Sequence, residues 1–232
     1  MGTLIEDLDL RGKTRIFSDR QEAGRLLSAR LREFVEPTAM ILAIPAGGLP
    51  VAFPLAKALG CGLDVLVVRK IQIPDNAEAG FGAIGPDGTV LLNERILEDL
   101  RLTSKEIESQ VARTREVLRQ REARFRQNRP FPSLANRQVI LVDDGLASGY
   151  TMLAAIGFVR QQDARQVILA VPTASGRTVN LLLPETDLLV CLNVRGGPVF
   201  AVADAYRSWY DLQDDEVINL LREAGLQSPA RC

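Results

Sequence analysis

The chain has 232 residues, 47% of them apolar, with 28 Lys and Arg against 29 Asp and Glu for a formal net charge of −1. This composition suits one α/β domain with a small appended part, and it supplies no global field that would draw the protein to nucleic acid or a membrane. Histidine is absent, which excludes His triads, His general bases and His metal ligands. Cys61, Cys191 and Cys232 are too scattered for a disulfide framework or a zinc site and read as small buried side chains plus a tail thiol. The acidic start Met1-Gly2-Thr3-Leu4-Ile5-Glu6-Asp7 lacks an apolar region, and no apolar run is long enough to span a bilayer. The expectation is a cytoplasmic protein without a signal peptide.

In chain order, Ser18-Asp19-Arg20-Gln21 reads as a capping box opening a helix with Ala23, Leu26, Leu27, Leu31 and Phe34 on one face. Ala39 to Ile44 is a first buried strand, ending in Pro45-Ala46-Gly47-Gly48 and followed by a helix from about Leu49 to Leu59 with Pro50 in its first turn. Leu63 to Val68 is a second buried strand, ending in Arg69-Lys70, so the segment is a right-handed βαβ unit. Ile71 to Asn93 is Gly-rich and weakly periodic, with a turn at Gly85-Pro86-Asp87-Gly88 and a short strand from Thr89 to Leu92. It reads as a functional loop, in which Glu78 is the least routine charge and has no assigned role.

Thr103-Ser104-Lys105-Glu106 opens a long helix with Ile107, Val111, Thr114 and Leu118 inward, ended by Pro130 and Pro132. Arg113, Arg115, Arg119, Arg121, Arg124, Arg126 and Arg129 crowd it. Interleaved glutamates and the neutral total favour a solvated face over a nucleic-acid surface. Further on come a strand from Gln166 to Val171, a helix from about Gly176 to Leu183, a strand from Leu188 to Leu192 and an amphipathic helix from about Asp214 to Glu223. Trp209 and Tyr210, with Phe200 and Tyr206, read as a satellite core rather than a base-stacking wall. Alternating strands and helices predict an α/β fold: a parallel sheet with helices on both faces. Its ligands would lie beyond the carboxyl ends of the strands, where the loops at Pro45, Arg69 and Asp143 converge.

The most informative run is Val139-Ile140-Leu141-Val142-Asp143-Asp144-Gly145-Leu146-Ala147-Ser148-Gly149-Tyr150-Thr151. A buried strand ends in two carboxylates, and a turn of small residues leads into a helix from about Met152 to Val159. Backbone N–H groups at the start of that helix can hold a phosphate, with Ser148 and Thr151 as hydroxyl donors. Asp143 and Asp144 repel a phosphate but suit sugar hydroxyls or a hydrated Mg²⁺. The ligand implied is a sugar phosphate; the alternative is a structural strand–turn–helix with a chance acidic pair.

This run resembles the 5-phosphoribosyl-1-pyrophosphate (PRPP) motif of the type I phosphoribosyltransferases at every position. Pro45-Ala46-Gly47-Gly48 resembles the family's pyrophosphate loop, except that relatives often carry Arg or Lys where this chain has Ala46. The likeness covers roughly Ala39 to Leu192. It implies a single domain over 1–232, with a sheet core at about 36–192 and a small hood drawn from about 1–35 and 193–232, often in a homodimer. It further implies transfer of phosphoribose from PRPP to a nitrogen acceptor, usually a nucleobase, with release of pyrophosphate. Asp143 and Asp144 would be catalytic, holding the ribose hydroxyls and touching Mg²⁺ indirectly. Gly145, Ala147, Ser148, Gly149, Tyr150 and Thr151 would bind the 5-phosphate. Ala46, Gly47, Gly48, Arg69 and Lys70 would bind pyrophosphate, and Ile71 to Asn93 would be the mobile loop that closes over the reaction. A non-catalytic PRPP or nucleotide sensor and a generic sugar-phosphate enzyme are the competing readings.

Overall fold

The computed structural model describes residues 2–74, 76–127, 129–197 and 199–226, without the side chains of 76–79 and 95. Glu78 and Cys232 therefore lie outside the described side chains. The first half runs β1 (Thr3–Glu6), α1 (Arg20–Leu31), β2 (Met40–Ala43), α2 (Gly48–Leu59), β3 (Gly62–Val65), β4 (Arg69–Ile73), β5 (Asn76–Ile84) and β6 (Val90–Leu92). The second runs α3 (Glu94–Leu100), α4 (Ser104–Arg126), β7 (Gln138–Val142), α5 (Tyr150–Gln161), β8 (Gln166–Ser175), α6 (Gly176–Leu182), β9 (Leu188–Arg195) and α7 (Asp214–Glu223).

Six strands form one parallel sheet in the order β1-β9-β8-β7-β2-β3. Strand alternation sends neighbours to opposite faces. Ile41, Ala43, Ile140 and Val142 join Leu27, Leu49 and Leu55 of α1 and α2 in one core. Leu42, Val139 and Leu141 join Met152, Ala155, Val159 and Leu182 of α5 and α6 in the other. Helices thus cover both faces. From the central pair β2·β7 the chain goes one way to β3 and the other way to β8, β9 and β1. That reversal is the switch point where α/β sheets open a crevice. Ala43 is in register with both Val142 and Val65, so the loops after β2, β7 and β3 start side by side.

Several boundaries differ from expectation, each for a packing reason. The α1 cap is Asp19, whose carboxylate accepts from the Glu22 N–H (2.8 Å), while Glu22 accepts from Ser18 N–H (2.5 Å). Leu26 and Phe34 lie outside the buried face, at 43% and 37% exposure. The second strand stops at Val65, whose carbonyl accepts from the Arg126 guanidinium (3.2 Å), although the Leu66 N–H still donates to the Ala43 carbonyl of β2 (3.0 Å). Val67 and Val68 then leave the sheet, and Arg69-Lys70 open β4 instead of closing β3.

The Gly-rich stretch is not a plain loop: β4, β5 and β6 make an antiparallel three-stranded sheet. Its glycines permit close strand approach, since a Cβ at Gly80 would fall 2.4 Å from Lys70 Cγ and one at Gly82 2.4 Å from the Leu91 carbonyl. β1 lies beside β9, and α1 buries Ala23, Leu27 and Leu31 in the main core. α4 carries the expected capping box on Thr103 and Glu106. Its far end is tied to β3 where Arg126 and Arg129 both reach the buried Asp64 (each 2.9 Å).

Candidate functional site

The β7–α5 loop is a preformed turn. Gly149 sits at φ 82° as the cap of α5, and a Cβ there would meet Thr178 Cγ2 at 2.7 Å, so both backbone and space require glycine. The Leu146 N–H donates to the Thr173 carbonyl (3.0 Å) and the Ser175 N–H to the Leu146 carbonyl (3.1 Å). The Ala147 carbonyl accepts from the Thr178 and Ser175 hydroxyls. These bonds hold the loop from behind, while the first-turn N–H groups of α5 have no partner within the helix. They face a recess of about 200 Å³ lined by Asp143, Gly145, Ala147, Ser148, Gly149 and Thr151. Tyr150 differs from its neighbours: its hydroxyl meets the side-chain amide of Asn93, the cap of α3, and so ties the antiparallel sheet's end to the start of α5.

The two carboxylates have different surroundings. Asp144 accepts from Arg20 Nε (2.8 Å), and its carbonyl accepts from the Tyr206 hydroxyl (2.6 Å). Arg20 also donates to the Tyr210 carbonyl (3.1 Å) and stacks 3.8 Å above the Trp209 ring. Asp143 Oδ1 accepts the Asp144 N–H (2.8 Å), and its side chain opens onto two recesses. Burial, then the Asp144 charge, pushes the Asp143 carboxyl well above the usual carboxylate range. Burial also raises Asp144, but Arg20 opposes the rise.

Gly47 and Gly48 serve this pair as well as any anion. A Cβ at Gly47 would lie 1.9 Å from Asp144 Oδ2, and one at Gly48 would lie 2.5 Å from the Val142 carbonyl. The peptide bond between Pro45 and Ala46 is cis. The Gly48 N–H donates to the Ile44 carbonyl (2.9 Å). The N–H groups of Ala46 and Gly47 have no acceptor among the described residues and remain available to an anion.

The second recess, of about 270 Å³, is lined by Pro45, Arg69, Lys70, Gln72, Arg121 and Asp143, with Ile44, Val68 and Thr151 behind. Lys70, Asp143 and Thr151 line both recesses. Arg69 and Lys70 thus face the crevice as expected, although from the first residues of β4. Burial, then the neighbouring Arg121, lowers the basicity of Arg69. Phe200, Ser148, Tyr150, Arg177 and Arg195 line an adjacent cleft of about 840 Å³.

Arg20 and Arg121 escaped the sequence reading as site residues. Arg20 has no local signal, since its partner is 124 positions away. Arg121 had one: it continues the stripe Thr114, Leu118 and Phe125 on the buried side of α4. The other arginines of α4 divide as a solvated face would in part. Arg119 pairs with Glu116 in solvent (2.8 Å), whereas Arg126 is buried on Asp64. Of the expected satellite core, Tyr206 is buried and Trp209 packs half-buried against it, behind Arg20, whereas Tyr210 is 54% exposed and Phe200 lines the adjacent cleft instead.

No helix among the described residues is long and apolar enough to cross a membrane. Among them there is also no cluster of three or more His, Cys, Asp or Glu side chains fit to hold a metal ion. The phosphoribosyl transferase domain family matches residues 16–181. Two Mycobacterium tuberculosis proteins, from strains CDC 1551 and H37Rv and each named "Putative phosphoribosyl transferase", are 38% identical over 210 residues. The match takes in 90% of this chain and 47% of theirs, so the chain spans about half the length of these curated relatives. The crystal structure of the protein TT1426 from Thermus thermophilus is 38% identical, with a TM-score of 0.73 over 89% of this chain and 98% of that one. With its acid pair, glycine turn and parallel sheet in place, the chain belongs to the type I phosphoribosyltransferase family.

Proposed function

We propose that this protein transfers phosphoribose from PRPP to a nitrogen acceptor, a nucleobase in nucleotide salvage, and releases pyrophosphate. The observation that carries the reading is Asp143, shared by two recesses: one faces the N-terminus of α5, the other is lined by Arg69, Lys70 and Arg121. A sugar with a phosphate at one end and a pyrophosphate at the other fits a carboxylate placed between a phosphate turn and a cationic recess.

In this reading the α5 N–H groups, with Ser148 and Thr151, hold the 5-phosphate and supply orientation. Asp143 and Asp144 accept hydrogen bonds from the ribose hydroxyls and place negative charge near the sugar as its C1–O bond breaks. Arg20 fixes where the Asp144 carboxylate points. The free N–H groups of Ala46 and Gly47, with Arg69 and Lys70, receive the leaving pyrophosphate. The β4–β6 sheet and α3, joined to the loop through Tyr150, form the cover that excludes water. The donor set offers Mg²⁺ one carboxylate oxygen of Asp143 beyond the one that accepts the Asp144 N–H, which fits an ion held mostly by ligand oxygens and water. Bound there, Mg²⁺ would neutralise charge on the pyrophosphate. The family resemblance extends the reading to a homodimer.

Ala46 favours a second reading, a non-catalytic PRPP sensor on the same fold, because a sensor needs no strong leaving-group clamp. Pyrophosphate release tested with PRPP, Mg²⁺ and a panel of purine and pyrimidine bases separates the two. The transferase reading expects release that depends on PRPP, Mg²⁺ and one base together. Tight PRPP binding with no release above buffer for any base would replace it with the sensor.

A further inference from the structure

We propose that Arg121, on the arginine-rich helix α4, is a diphosphate-binding residue that supplies the charge the Ala46 loop lacks. The inference rests on the transferase reading for its ligand but on its own geometry for its location. Arg121 lines the recess that holds Pro45, Arg69 and Asp143. Pro45, which opens the loop that family resemblance assigns to pyrophosphate, lines the same recess. Alanine at position 46 brings backbone N–H groups and no charge, while a diphosphate carries several negative charges.

Three features fit Arg121 to an anion rather than to a purely structural pair. Its side chain is 26% exposed and its guanidinium gives Asp214 one hydrogen bond (2.9 Å, through Nη2), which leaves further donors for a ligand. Asp214 is also held by Arg124 (3.1 Å), which bonds Asp215 as well (2.6 Å), so Asp214 keeps a cation when Arg121 turns inward. Arg121 and Arg69 lie near enough for their charges to oppose each other, and Asp214 eases Arg69. Two like charges gathered around an opening are relieved by an anion between them. Arg119, on the same helix, has none of this: it lies in solvent and pairs with Glu116.

Calorimetry with pyrophosphate, PRPP and ribose 5-phosphate, on variants whose melting is checked first, tests the assignment. Arg121→Ala should weaken pyrophosphate and PRPP on the order of tenfold, the scale of a charge-assisted hydrogen bond, and leave ribose 5-phosphate unchanged. Arg121→Lys should recover part of the loss, since it keeps the charge without the fork. Asp214→Asn and Arg119→Ala should bind pyrophosphate at least as well as the parent. Unchanged pyrophosphate affinity in Arg121→Ala overturns the inference. So does an equal loss for ribose 5-phosphate, or an equal loss in Asp214→Asn, because either marks a structural effect. A parent protein that binds pyrophosphate through Arg121 but not PRPP sinks the transferase reading and leaves this inference standing; one that binds neither overturns both.

Discussion

On the α1 side of the acid pair, Arg20 is engaged on several sides: Asp144 takes Nε, the Tyr210 carbonyl takes Nη1 and Trp209 covers its plane. On the α4 side, Arg69, Lys70 and Arg121 gather around an open recess of about 270 Å³. The first arrangement fixes a carboxylate; the second gathers three cations around an opening that they share with Asp143. A cation matched by a carboxylate, a carbonyl and a ring contributes to the fold, whereas cations that face one another contribute to binding. The difference also separates the two acids. Asp144 belongs to the filled side, and Asp143 opens to the other.

If that division holds, breaking the filled side should cost the most stability. Arg20→Ala removes the partner of a side chain that is 13% exposed and strips the stack from Trp209. The expected loss is about 3 kcal/mol, on the order of 10 °C in melting temperature for a chain of this size. Arg69→Gln, on the open side, should leave melting nearly unchanged. Equal losses in the two variants by scanning calorimetry would erase the distinction.

Gly149→Val comes next. It forces a β-branched residue to φ 82° against Thr178 and narrows the turn that faces the first recess. The expected cost is about 1–3 kcal/mol of stability, with loss of ribose 5-phosphate binding. A crystal of the parent soaked with ribose 5-phosphate should show the phosphate at the N-terminus of α5. Density elsewhere with the turn empty would contradict the placement.

Asp144→Asn is nearly isosteric and should keep the fold while weakening PRPP by about 1–3 kcal/mol. Part of that loss would come through Arg20, which would then face a neutral amide. Asp143→Asn should weaken PRPP without touching Arg20. Unchanged calorimetric affinity in both variants would remove the acid pair from the site.

The filled side was the illegible one. The run Val139 to Thr151 could be read because strand, acids, turn and helix are contiguous, and each residue type answers a local requirement. Arg20 could not, because nothing near position 20 announces a partner at 144. The segment after β3 misled in another way. Gly80 and Gly82 look like turn residues in sequence, but in the fold they let strands approach within the reach of a side chain. Arg121 was hidden among the other arginines of α4, although its place on the stripe of Leu118 and Phe125 marked it. Local chemistry was readable; pairing across the sheet's switch point was not.

The smallest expected effect tests the open side through pH. The Asp143 carboxyl is raised well above its usual range, mainly by burial and then by Asp144, so the folded protein holds this proton to higher pH than the unfolded chain. Between the two values the folded state binds more protons, and stability falls as pH rises through that window. The ligand-free parent thus bears a cost at neutral pH that a neutral side chain would not. Asp143→Asn should melt higher than the parent near pH 7, by about 2–4 °C if the difference is about 1 kcal/mol. The gap should close toward about pH 4, where the parent's carboxyl is protonated and resembles the amide. The same variant binds PRPP less well, so the acid's cost to the fold and its use to the ligand are measured on one substitution. Melting curves of parent and variant that stay parallel across that range would show that Asp143 is solvated in the free protein, and the contrast between a filled and an open side of the acid pair would have to be withdrawn.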